Sequence, residues 1–171
     1  MLGLTNLGIV HTLISIVAVI AALTCFFRYG GISLRNRAGQ VYVWTTVLTC
    51  LTGFFIFEHG GFGKPHALGI VTLLVLAVAY AAEKRRAFGA VSPYVEAVSY
   101  SATAFFHTIP AVAEGGTRLP PGGPWFDNPE APQLLAISGA FFLIFLIGAA
   151  YQVWRLRGQR MVAPVPGKAT A

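Results

Sequence analysis

The chain has 171 residues, of which 56% are apolar and 11% are Asp, Glu, Lys or Arg; its formal net charge is +6 and it has two cysteines. A soluble domain averages about 25% charged residues, so there is too little charge to cover a water-facing surface. The apolar content excludes a disordered chain and two cysteines exclude a disulfide scaffold, which leaves an integral membrane protein.

A bilayer core needs about 20 predominantly apolar residues per helical crossing. Five runs meet that need, at 4–27, 40–59, 65–82, 93–113 and 132–154. Pro65 suits a first helical turn, and the fourth run is the least apolar, with Glu96, Tyr100, Thr103 and His107. In a bilayer the backbone must satisfy its own hydrogen bonds, and none of these runs alternates as a barrel strand does. The expected fold is therefore all-α, a polytopic bundle of five transmembrane helices forming one domain over 1–160, with a short disordered cytoplasmic tail at 161–171. The first run lacks a basic n-region and a small-residue cleavage site, so it reads as a retained span rather than a signal peptide.

Arg28, Arg35, Arg37, Lys84, Arg85, Arg86, Arg155, Arg157, Arg160 and Lys168 all fall on one side of such a bundle; Lys64 and Arg118 fall on the other. Lys and Arg in short loops mark the cytoplasmic face, which puts the N-terminus outside and the C-terminus inside. Tyr29, Tyr42, Trp44, Tyr80, Tyr94, Tyr151 and Trp154 lie near the same helix ends, where an interfacial aromatic belt is expected. The net charge is thus explained by topology and inner-leaflet lipid, without nucleic acid.

On that topology all four histidines occupy the outer half. His11 lies about 10 Å deep and His107 about 9 Å, at 1.5 Å per residue; His59 ends the second run and His66 begins the third. Glu58 and Glu114 share that side. Near helix ends, histidines also serve as caps and interfacial residues, but ionisable groups deeper in a bilayer are costly and commonly functional. Neutral imidazoles suit Zn, Cu, Fe or Ni, and two opposed imidazoles suit a b-type haem. Neither HExxH nor CxxC occurs. Cys25 and Cys50 differ in depth and read as free, buried thiols.

On the fourth helix Glu96, Tyr100, Thr103, His107 and Glu114 fall within an arc of about 60°. Such a stripe can line a proton or ion path, or face the bundle interior as interhelical glue; Pro110 predicts a kink beside it. Helix one presents Gly8, His11, Ser15, Ala18 and Ala22 along one face, and helix two presents Thr45, Thr49, Thr52 and His59. The loop at 115–131, with Trp125 and Phe126, is long enough to act as a lid, and Arg118 could pair an anion such as a haem propionate. The Gly60–Lys64 turn lacks phosphate-loop spacing and reads as a hairpin.

The stretch Arg35-Asn36-Arg37-Ala38-Gly39-Gln40-Val41-Tyr42, running on to Leu51-Thr52-Gly53, resembles a family of uncharacterised bacterial multi-pass membrane proteins with a histidine in the first helix. The resemblance covers the first three spans, with His11 in the expected place, and implies a location in the bacterial inner membrane. Pro65-His66-Ala67-Leu68-Gly69 is similar to the histidine-bearing helix starts of small b-type cytochromes, which implies bis-histidine haem in a helical bundle; this chain departs from them in having no inner-side histidine, which leaves room for at most one haem, on the outer side.

These readings lead to an outward-facing histidine site with a redox role. It would hold one haem b through His11 and His107 with Arg118, or one ion of Zn, Cu or Fe through His11, His59, His66, His107 and Glu58. The expected partners are the lipid bilayer, a redox partner or quinone, and further copies of the chain as a homo-oligomer. The alternatives are a small proton or ion transporter using Glu96, Tyr100, Thr103, His107 and Glu114, and a non-catalytic assembly or anchor subunit.

Overall fold

The computed structural model describes residues 5–57 and 61–162, and within them the chain is all-helical. Five α-helices run in order: α1 (Asn6–Tyr29), α2 (Arg37–Gly53), α3 (Lys64–Arg85), α4 (Ser92–Arg118) and α5 (Pro132–Val162). A single 3-10 turn at Gly89–Val91 precedes α4. Three of the five, Asn6–Tyr29, Lys64–Arg85 and Pro132–Gln159, are long and apolar enough to cross a membrane. The other two differ from the sequence expectation for separate reasons. Helix α2 stops at Gly53 after 17 residues, about 25 Å at 1.5 Å per residue, which falls short of a bilayer core of about 30 Å. Helix α4 has the length, at 27 residues, but its Ser, Thr, Tyr, Glu and His side chains dilute its apolar character.

Local chemistry fixes the helix ends. The Thr5 hydroxyl accepts from Gly8 N–H to open α1, and the Asn36 side chain accepts from Gly39 N–H to open α2. Gly30 closes α1 in the left-handed region at φ 71°, where a Cβ would lie 2.0 Å from the Arg155 guanidinium. Pro65 and Pro93 occupy first turns, as their missing N–H favours. Helix α4 continues through Pro110 to Arg118, five residues beyond the expected boundary, and α5 extends past the expected end at 154. Positions 163–171, most of the expected tail, lie outside the described residues.

Consecutive helices pack as antiparallel neighbours, and α5 rests on α4. The chain ends therefore sort into two sets. A basic end holds the close of α1, the start of α2, the close of α3, the start of α4 and the late part of α5. The opposite, histidine end holds the start of α1, the close of α2, the start of α3 and the close of α4. The core is made of small residues: Ala18, Ala21, Ala22, Cys25 and Ala79 pack with Tyr42, Leu76 and Tyr100. Small side chains let helix backbones approach. Large apolar residues such as Phe27, Leu74 and Ile147 are exposed, the pattern of helices whose surroundings are hydrocarbon.

Candidate functional site

The polar residues of this apolar chain gather in a seam between α2 and α4. The two helices run parallel and in step, with residue i of one facing i+61 of the other. Tyr42 hydrogen-bonds Thr103 at 2.8 Å, and Thr46 hydrogen-bonds His107 at 3.1 Å. The same offset joins Arg35, just ahead of α2, to Glu96. No Cα of α2 comes within 8 Å of a Cα of α4 among the described residues. The gap is bridged by side chains with enough reach, chiefly Tyr42 and His107.

At the basic end two carboxylates meet. Glu83 closes α3 with its side chain 1% exposed. One oxygen accepts from the Ser33 hydroxyl at 2.8 Å; the other accepts from Leu34 N–H at 3.1 Å and the Tyr100 hydroxyl at 2.9 Å. Glu96 is gripped by both terminal nitrogens of Arg35, at 2.9 and 3.0 Å, and Arg35 Nε lies 3.9 Å from Glu83. A bidentate guanidinium–carboxylate fork is the strongest ordinary ion-pair geometry. The Glu96 hydrogen bond raises the pKa of Arg35 above its usual value, so this cation is permanent. The loop that supplies Ser33, Leu34 and Arg35 is pressed onto the first turn of α2. A Cβ on Gly39 would sit 1.9 Å from the Ser33 carbonyl oxygen, so only glycine fits there.

Further along, Thr103 gives its hydroxyl hydrogen to the Tyr100 carbonyl at 2.8 Å. A hydroxyl has one hydrogen, so toward Tyr42 it can only accept, and Tyr42 is the donor. Tyr42 is fully buried and its ring stands edge-on to His107 at 6.1 Å. It is therefore a seam residue and not part of the interfacial belt in which its position suggested it. Both His107 nitrogens are engaged, Nε2 with Thr46 and Nδ1 with the Ser15 hydroxyl at 3.4 Å. His11 meets Thr52 through Nδ1 at 3.0 Å and lies against Gly53, where a Cβ would be 3.2 Å from its ring. Between these two contacts on α2 sits Thr49, whose Oγ1 is buried without a partner among the described residues.

The expected site residues divide accordingly. Glu96, Tyr100, Thr103 and His107 share the buried seam, whereas Glu114 is exposed and pairs with Arg118 on its own helix. His11 and His107 are neighbours through α2 threonines and Ser15. His66 is elsewhere: its Nδ1 accepts from Gly63 N–H at 3.2 Å, and its ring is stacked between Phe57 and Phe62 at 5.1 and 5.2 Å. Glu58 and His59 lie outside the described residues. Among the described residues no group of three or more His, Cys, Asp or Glu side chains gathers as a metal set. Cys25 and Cys50 are free and buried. The 115–131 segment begins inside α4; after it ends, Phe126 N–H returns to the Gly116 carbonyl at 3.1 Å while Trp125 stays exposed.

Glu83 and Thr46 are the residues that sequence reasoning misses. Glu83 has a readable signal, a lone acid directly before Lys84-Arg85-Arg86. Thr46 is adjacent to Thr45, and helical spacing alone selects the wrong one: Thr45 bonds its own helix at the Val41 carbonyl. A further polar contact ties α4 to α5, where Ser101 donates to Gln152 at 2.8 Å, and Gln152 and Arg155 reach the Gly30 carbonyl.

No family model, curated protein or solved structure matches the chain.

Proposed function

We propose that the protein is a five-span membrane protein with its basic end in the cytoplasm, and that it conducts protons along the α4 seam. The observation that supports this most is the succession of titratable and hydroxyl side chains from one end to the other. Glu96 and Glu83 lie beside Arg35, and Tyr100 bonds Glu83; Thr103 and Tyr42 follow, then His107 with Thr46 and Ser15, then His11 with Thr52. Each group can take or give a proton at a side-chain oxygen or nitrogen, and intramembrane chains of Asp, Glu and His are the usual proton relays of pumps and transporters. Two carboxylates thus stand beside Arg35 at the basic end, where a proton can be taken up or released at a side-chain oxygen.

The orientation follows the distribution of Lys and Arg between the ends; the apolar helices support a cell membrane, and the resemblance of the 35–53 stretch to a bacterial membrane family supports the bacterial inner membrane. A short α2 is compatible with crossing because its polar face meets α4 rather than lipid. In this reading His107 is a relay rather than a cofactor ligand, since a ligand needs a free ring nitrogen and both of its nitrogens are hydrogen-bonded.

The test is proton flux into liposomes containing the full chain and a pH-sensitive dye, driven by a potassium–valinomycin potential. Flux above that of empty liposomes is expected, with Glu96→Gln and His107→Ala each lowering it by about 10²-fold or more, the scale of losing a positioned proton carrier. Wild-type flux equal to the empty-liposome rate overturns the proposal.

A further inference from the structure

We infer that an open groove on the exposed face of α1 binds one anionic phospholipid, with an acyl chain against Ile20, Leu23 and Phe27 and the phosphate on Arg28. The groove has a volume of about 450 Å³ and is lined by Ile20, Leu23, Thr24, Phe27 and Arg28. Their spacing puts all five on one side of the helix. The three apolar side chains are exposed, Phe27 at 88%. Thr24 gives its hydroxyl hydrogen to the Ile20 carbonyl at 2.8 Å, so the wall below Arg28 offers no free donor and suits hydrocarbon.

Position and charge select the occupant. From Ile20 to Arg28 the face rises about 12 Å at 1.5 Å per residue, close to half of a hydrocarbon core of about 30 Å. A groove that is apolar over that length and ends in a guanidinium at the basic end matches a lipid of one leaflet, chain first and headgroup last. Arg28 takes its anion from outside the chain. Lys64 pairs with Glu130, Arg118 with Glu114 and Arg35 with Glu96, whereas among the described residues no acid lies within ion-pair distance of Arg28. Its guanidinium instead lies 5.9 Å from the centre of the Tyr29 ring. The two acids of the basic end, Glu83 and Glu96, are already engaged by the 33–35 loop and Tyr100. A second cation stands close by: Arg155 donates to the carbonyl of Gly30, two residues past Arg28. This surplus of cation at the level of the headgroups favours an anionic lipid over a zwitterionic one. The site is separate from proton conduction and rests on the five-span reading only for the depth of Arg28.

The experiment is native mass spectrometry of the full chain in detergent, titrated with phosphatidylglycerol or with phosphatidylcholine of equal chain length. One phosphatidylglycerol is expected to bind several-fold more tightly than phosphatidylcholine. Arg28→Ala is expected to weaken it about fivefold, the scale of one basic residue at an anionic surface. Arg157→Ala, which removes an exposed cation of the same end outside the groove, is expected to leave it unchanged. Ile20→Trp fills the groove with Arg28 intact and is expected to weaken binding, and glycerol phosphate, a headgroup without chains, is expected to give no adduct. Equal affinity for the two lipids overturns the inference, as do equal losses in Arg28→Ala and Arg157→Ala, which mean diffuse attraction. An adduct with glycerol phosphate makes Arg28 a site for free anions, and a dimer lost in Ile20→Trp gives the face to a second copy; either result overturns it too. The two proposals fail separately: selective lipid binding in a chain without proton flux removes the relay and keeps the groove, whereas flux without selective binding does the reverse.

Discussion

The two ends of the seam use polar groups in opposite ways. At the basic end every carboxylate oxygen of Glu83 and Glu96 has a donor, and the donors come from two segments: the 33–35 loop, through Ser33, Leu34 and the Arg35 guanidinium, and α4, through Tyr100. At the histidine end the groups are neutral hydroxyls and imidazoles, one contact stretches to 3.4 Å, and Thr49 Oγ1 has no partner among the described residues. A charged, saturated cluster has one arrangement and holds helices in register. A neutral, incompletely paired cluster has several arrangements of similar energy, which is what moving a proton through it requires. The contrast places rigidity at one end and adaptability at the other.

The largest effect is expected where that contrast is removed at the saturated end. Glu83→Leu leaves the Ser33 hydroxyl, Leu34 N–H and Tyr100 hydroxyl facing apolar atoms, and takes a nearby acid from Arg35. A donor left unsatisfied on burial costs about 1–3 kcal/mol, and with three of them unfolding in mixed detergent should shift by about 3 kcal/mol or more, with Glu83→Gln recovering part of it by keeping one acceptor oxygen. A Glu83→Leu protein as stable as the parent would break the comparison. Gly39→Ala comes next. Alanine is the better helix former by about 1 kcal/mol, yet its Cβ would collide with the Ser33 carbonyl. The net expectation is a loss of about 1–3 kcal/mol, read in the same assay.

Tyr42→Phe sharpens the contrast at its midpoint. It deletes a single hydroxyl whose acceptor, Thr103, keeps its own bond to the Tyr100 carbonyl. Interhelical hydrogen bonds in membranes contribute about 0.6 kcal/mol on average, so stability should fall by about that amount while proton flux falls far more. Equal, small losses in both would make the seam interhelical glue.

Most of the architecture was legible because it depends on composition and period. Apolar runs bounded by Arg, Lys and Pro predicted five helices at nearly their observed places, and the stripe Glu96, Tyr100, Thr103 and His107 followed from 100° per residue. What was not legible depends on which helix meets which. The sequence placed four histidines in one half of the bundle, two of them at nearly one depth, but depth does not say that Thr46 rather than Thr45 faces His107, or that His66 turns back onto its own helix start. Tyr42 looked like a belt residue because aromatic position is judged along the chain, whereas its burial is decided by the wide α2–α4 gap that only a long side chain crosses. Arg35 and Glu83 were legible as charges, and their partners were not, since those partners are 61 and 50 residues away.

The smallest effect is expected at the histidine end's surface, where Lys64 at the start of α3 pairs with Glu130 ahead of α5. The Lys64 hydrogen bond and charge lower the Glu130 pKa below its ordinary value. A depressed carboxyl stabilises the fold above its unfolded-state pKa, and that contribution is lost as pH falls through the folded-state value. The pair is open to water, where ion pairs are screened and side-chain ordering offsets the attraction. Lys64→Met should therefore return Glu130 to an ordinary glutamate titration, measured by NMR on labelled Glu, and leave unfolding at neutral pH unchanged. A clear loss of stability would mean that this end is clamped as firmly as the basic one, and that adaptability must be sought deeper in the seam, around Thr49.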